Sequence, residues 1–141
     1  MMVGSGPMED DLRKRAGGHP RVHFLGFQNQ SRMPVVYRLG DLFVLPSRGP
    51  GETWGLAVNE AMASGSAVVV SDRVGCAPDL VDSQNGAVVP AGNPEALRCR
   101  IDDLLSNPER LTAMGQHSEE RIVDWSIKAA ARRTTDALRH L

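Results

Sequence analysis

Short apolar runs alternate along the chain with longer stretches whose apolar residues recur at helical spacing. Residues 1–3 read as the tail of a strand, stopped by Gly4-Ser5-Gly6-Pro7. A helix is predicted over 8–16 and ends at Gly17-Gly18. Residues 22–25 form a second strand, closed by Gly26. Ser31 is placed to cap a short helix through residue 38, with Pro34 early enough in it to be tolerated. A third strand covers 42–45 and stops at Pro46, before a Gly/Pro-rich loop over 47–53. The next helix starts near Trp54 or Gly55 and ends at Ser64-Gly65. Residues 67–70 carry three successive valines, the pattern of a strand buried on both faces. Residues 86–89 make a fifth, short strand.

The remainder is helical. Asn93-Pro94 and Asn107-Pro108 each set a capping residue before a proline at the first helical position. Between them Leu97, Ile101, Leu104 and Leu105 share one face. A last helix over 124–141 aligns Ile127, Ala130, Ala131, Thr134, Leu138 and Leu141. This alternation predicts an α/β fold, a doubly wound, Rossmann-like parallel sheet. Its first strand is entered part-way, so the fold is expected to be truncated at its N-terminus.

Length and composition narrow the classes. A chain of 141 residues suits one domain, and 41% hydrophobic with 23% charged residues is ordinary for a soluble globular protein. The formal net charge is -1, which gives no ground to expect nucleic acid. The cations over 13–16 belong to a solvated helix face. Cys76 and Cys99 form no CxxC or Cys/His cluster, so zinc is not expected, and they read as free thiols in a reducing compartment. The start has no signal-peptide architecture, and no apolar run approaches the roughly 18–20 residues of a membrane span. A cytoplasmic protein without an integral membrane segment is expected.

Ligands of open parallel sheets bind beyond the carboxyl ends of the strands. Gly4-Ser5-Gly6, Gly26 and the 46–53 loop mark three such ends. Gly49, Gly51 and Gly55 let backbone approach a ligand, and a helix start near Gly55 offers N–H groups to a diphosphate. Ordinary turn chemistry also accounts for these glycines. Glu52 and Glu60 stand eight apart on this loop and helix. Glu60 lies among small and apolar residues, where a carboxylate needs a polar partner or a ligand hydroxyl. Alternatively Glu52 complements the helix dipole and Glu60 faces solvent.

The stretch over 42–63 resembles the E-x7-E signature of retaining nucleotide-sugar glycosyltransferases with the GT-B fold, the "glycosyl transferases group 1" family. The similarity is to their C-terminal, donor-binding domain. It extends through Gly4-Ser5-Gly6-Pro7, Val22-His23-Phe24-Leu25-Gly26, residues 67–72, Asn85-Gly86 and Asp124-Trp125-Ser126. The resemblance implies that Glu60 holds the two ribose hydroxyls of the donor and that Glu52, the implied catalytic position, faces the donor sugar. Backbone N–H groups at Gly55 and Leu56 would take the diphosphate. Gly26 and Phe27 fall where such enzymes hold the base, and Gly4 borders the same cleft. The implied donor is a UDP- or GDP-linked sugar, with no metal or other cofactor required. The implied reaction is front-face attack, the leaving diphosphate helping to take the acceptor's proton while the protein positions and stabilises charge.

Departures from the pattern matter as well. Thr53-Trp54 stands where Gly-Phe is common. The family's diphosphate-binding Arg and Lys, and its acceptor-binding N-terminal domain, have no counterpart in the sequence. The isolated chain is therefore expected to be inactive, and its uncovered surface to favour a homodimer. The alternative is a non-catalytic nucleotide-binding or interaction module from a truncated gene. A nucleotide-sugar 2-epimerase would share the fold, but the E-x7-E segment points to transfer. His19, His23, His117 and His140 read as structural or surface residues, and Cys76 has no base nearby. Asp79 and Asp82 read as a cap and a surface charge. Trp54 either lines the donor pocket or packs under the loop, and Trp125 anchors the final helix.

Overall fold

The structure is a computed structural model that describes residues 1–139. His140 and Leu141, expected on the last helix, lie outside the described residues. The chain divides into two compact units, Met1–Val36 and Tyr37–Leu141.

In the first unit, β1 (Met2–Val3) pairs in parallel with β2 (Phe24–Leu25), Val3 opposite Leu25. Between them runs α1 (Glu9–Ala16), with acids in its first turn and bases in its last, as the helix dipole favours. Gly17 closes it in the left-handed conformation. The 13–16 cations are not all simply solvated: Arg13 pairs with Glu9 at 2.8 Å and lies 4.6 Å over the Phe24 ring. β2 is shorter than predicted. The Val22 N–H donates to the His19 carbonyl at 3.0 Å, so a turn claims the residues before it. The short helix α2 (Met33–Tyr37) follows. Ser31 does not cap it: its hydroxyl donates at 2.8 Å to the Asn29 side chain, which holds the turn before the helix by accepting from the Arg32 N–H at 3.2 Å.

The second unit is built on the parallel ladder β3 (Leu42–Leu45), β4 (Ala67–Ser71), β5 (Gly86–Val89). β4 lies between the other two and is buried along its whole length, as its valine run requires. Three helices connect the strands or cover them: α3 (Leu56–Met62), the one-turn α4 (Ala77–Leu80), and α5 (Pro94–Leu105) after β5. α4 had no prediction, because four residues are too few to show a period, and Asp79 lies inside it rather than capping it. Asn93 and Asn107 cap α5 and α6 (Pro108–Ile122) as expected, each side chain accepting an N–H at 3.0 Å. Ala67, Val69, Val89, Leu104, Leu111 and Met114 form the core beneath these helices. Leu105 points outward despite its place on the predicted face. Asp82 is more than a surface charge: Arg121 of α6 pairs with it at 2.6 Å and also holds the Asp79 carbonyl.

The last helix does not run on from Asp124. A 3-10 turn covers Val123–Trp125, and α7 (Ile127–Arg139) starts beyond Ser126, whose hydroxyl accepts from the Ala129 N–H at 3.2 Å. Ala129 is the buried residue of α7 among those described. At 3.6 residues per turn it lies opposite the stripe of Ile127, Ala131 and Leu138. That stripe is bare, with Ile127 91% and Leu138 65% exposed.

Candidate functional site

The β3–α3 loop is tied down from both sides. The Ser71 hydroxyl at the end of β4 donates to the Ser47 carbonyl at 2.6 Å, and the Ser47 hydroxyl reaches the Glu52 carboxylate at 3.5 Å. Gly55 then opens α3 with φ +92, a conformation L side chains rarely adopt, and a Cβ there would lie 2.6 Å from Val74 Cγ1. Gly75 is required for a second reason: a Cβ on it would occupy the position of the Thr53 carbonyl. The Cys76 N–H donates to the Trp54 carbonyl at 2.8 Å. The 74–76 segment thus holds the turn that follows Glu52.

Trp54 packs with the protein. Its indole Nε1–H donates to Asn59 Oδ1 at 2.9 Å, and its ring lies 5.7 Å from that of Trp125, tilted by 36°. Trp125 therefore anchors the chain ahead of α7 onto this loop. Cys76 is fully buried, and burial foremost pushes its thiol up to about 11. It stays a neutral thiol near pH 7, in line with a structural role.

Glu60 sits on α3 and is half-buried. Its Oε2 accepts from the Tyr37 hydroxyl at 2.9 Å, so it does not simply face solvent. Burial, then the hydrogen bond and charge of Glu60, raise the Tyr37 pKa well above the usual tyrosine range. The hydroxyl remains a donor throughout neutral pH. Tyr37 is itself held edge-on against Phe43, ring centroids 5.6 Å apart. Leu56 and Ala57, at the first turn of α3, have N–H groups without intrahelical acceptors, and the Leu56 side chain is exposed. Beside this loop a cleft of about 120 Å³ lies at the ends of β3, β4 and β5, lined in part by Arg48, Ser71, Val89, Asn93 and Leu97.

Glu52, Gly55, Leu56 and Glu60 thus belong to one loop and helix of the second unit. Gly4, Gly26 and Phe27 belong to the first. There the Gly4 N–H donates to the Leu25 carbonyl at 2.9 Å, so Gly4 and Gly26 leave the paired strands at the same end. Phe27 is 77% exposed.

The family described as Glycosyl transferases group 1 matches residues 1–121. The chain belongs to this family. It is 37% identical over 134 residues to the phosphatidyl-myo-inositol mannosyltransferase of Mycobacterium leprae, covering 92% of this chain and 35% of that protein. It is 33% identical to the sulfoquinovosyl transferase SQD2 of Arabidopsis thaliana, covering 91% of this chain and 25% of that one. The chain thus spans about a third or less of the curated relatives it matches. Its structure is similar to the sucrose-phosphate synthase of Thermosynechococcus elongatus, with a TM-score of 0.82 at 26% identity, over 98% of this chain and 37% of the synthase. Anabaena Alr3699/HepE in complex with UDP-glucose has the same fold, with a TM-score of 0.79 at 23% identity, over 99% of this chain and 40% of that one.

Within this glycosyl transferases group 1 chain, three site neighbours escaped sequence reasoning: Tyr37, Asn59 and Gly75. Tyr37 lies 23 positions from Glu60, and no local pattern announces such a pair. Asn59 was visible inside the E-x7-E stretch, but its indole partner depends on the turn at Gly55. No group of three or more metal-binding side chains occurs among the described residues, and none of their helices is long and apolar enough to cross a membrane.

Proposed function

We propose that this chain binds the nucleotide-diphosphate sugar, UDP- or GDP-linked, for a transferase that moves the sugar to an acceptor with retention at the anomeric carbon. Glu60 accepts from both ribose hydroxyls, the N–H groups at Gly55 and Leu56 take the diphosphate, and Glu52 stands beside the reacting sugar. Gly4, Gly26 and Phe27 of the first unit are the residues that the family resemblance assigns to the base side of the donor. The observation that carries the reading is Glu60, a half-buried carboxylate on α3 already oriented by the Tyr37 hydroxyl. An ionised carboxylate has about four acceptor positions, enough for a tyrosine and two ribose hydroxyls together. Chemistry at the sugar needs little from the protein beyond positioning and charge stabilisation of the leaving diphosphate.

Calorimetry of the chain with UDP and with GDP tests this. Saturable binding of at least one nucleotide is expected; heats of dilution alone for both, up to millimolar concentration, would remove the donor-site assignment.

The bare stripe of α7 favours self-association, since exposed apolar patches recruit other chains. A homodimer is expected in light scattering at micromolar concentration. A mass of 15.3 kDa, that of the single chain, would rule it out.

A further inference from the structure

Trp54 is fastened at three points. Its carbonyl accepts from the Cys76 N–H at 2.8 Å, its indole N–H donates to Asn59 Oδ1 at 2.9 Å, and its ring lies against Trp125. Its position in the chain gives these contacts a consequence. Trp54 follows Glu52 by two residues, and Asn59 immediately precedes Glu60. The indole–amide bond therefore ties the end of the loop that carries Glu52 to the turn of α3 that carries Glu60. A phenylalanine at the same place could pack on Trp125 but has no N–H to give. Gly55 between them holds φ +92, so the short link has little freedom once both ends are pinned.

We infer that Trp54 and Asn59 are positioning residues: they fix where Glu52 stands relative to Glu60, with Trp125 as the backing surface. This role rests on the donor-site reading above. There Glu60 serves the ribose and Glu52 the sugar, so loosening the tie separates the two contacts. The ribose contact, made on the helix, persists. The sugar contact, made from the loop, is diluted over many loop positions. Trp54 then contributes to discrimination between a nucleotide sugar and the bare nucleotide without touching either.

The chain contains two tryptophans, which makes the test direct. Indole N–H exchange is followed by ¹⁵N NMR in the ligand-free wild type and in Asn59→Ala, with Trp54→Phe assigning the Trp54 signal. Loss of the acceptor should speed exchange of the Trp54 indole by roughly fivefold or more, the worth of one ordinary hydrogen bond. The Trp125 indole serves as the internal reference, and a retained dispersed spectrum shows that the variant folds. The second arm measures affinity for UDP and UDP-glucose, or for GDP and GDP-mannose, whichever pair the wild type binds. Asn59→Ala and Trp54→Phe should lower the ratio of sugar-nucleotide to nucleotide affinity by about threefold to tenfold. A change that only weakened the fold would lower both affinities by the same factor. An unchanged Trp54 exchange rate in Asn59→Ala, or an unchanged affinity ratio in a wild type that binds, overturns this role alone. Failure of the wild type to bind any of the four ligands overturns the donor-site reading, and this role with it.

Discussion

Replacing Glu60 with alanine is expected to weaken UDP or GDP binding by more than tenfold in calorimetry. The carboxylate is the hydrogen-bond acceptor proposed for both ribose hydroxyls, and hydrogen bonds to a charged group contribute about 1.5–3 kcal/mol. A factor of ten corresponds to about 1.4 kcal/mol. Alanine also leaves the Tyr37 hydroxyl without the partner it holds at 2.9 Å. That hydroxyl is a single neutral oxygen, so even where it accepts from one ribose hydroxyl it does not replace a charged carboxylate that accepts from both. The fold should tolerate the change, because Glu60 is half-buried and the α3 core is formed by Val58, Ala61 and Met62. Equal affinities for wild type and variant would take Glu60 out of the site.

The second large effect concerns turnover. The 141-residue chain on its own is expected to show no acceptor-dependent release of nucleoside diphosphate. Holding two reactants in attack geometry is worth about 7–11 kcal/mol of barrier. The residues proposed here address the donor alone, so that contribution is missing. The proposed diphosphate contacts are backbone N–H groups, and no cation has been assigned to the leaving group, which further limits stabilisation of its charge. A coupled assay for UDP or GDP release, with and without simple sugar or lipid acceptors, measures this. Steady release that depends on acceptor, from pure chain, would contradict the expectation.

What could be read in the sequence followed from local physics. The apolar runs at 42–45, 67–70 and 86–89 became β3, β4 and β5, and the continuous valines of 67–70 gave the strand that is buried along its whole length. Asn93 and Asn107 cap their helices because side-chain oxygen, following N–H and proline all lie within four residues. The Glu52–Glu60 stretch stood out for the same local reason. What escaped depends on the chain meeting itself again. Tyr37 reaches Glu60 across 23 positions, and Trp54 meets Trp125 from the far end of the second unit. The α7 pattern announces an apolar stripe but not the side on which the helix is held. Ala129 is buried opposite that stripe, where a small residue among Arg and Lys gives no signal. Ser31 was expected to cap α2, but its hydroxyl turns back to Asn29 in the preceding turn.

Whether the loop before α3 holds the nucleotide is tested most directly by titrating ¹⁵N-labelled chain with UDP and GDP and mapping the amide shifts. The largest changes are expected over residues 49–56 and at Glu60, with smaller ones at Tyr37 through its bond to that carboxylate. Saturable shifts confined to residues 13–24 or 89–97, with the 49–60 amides unmoved, would contradict it.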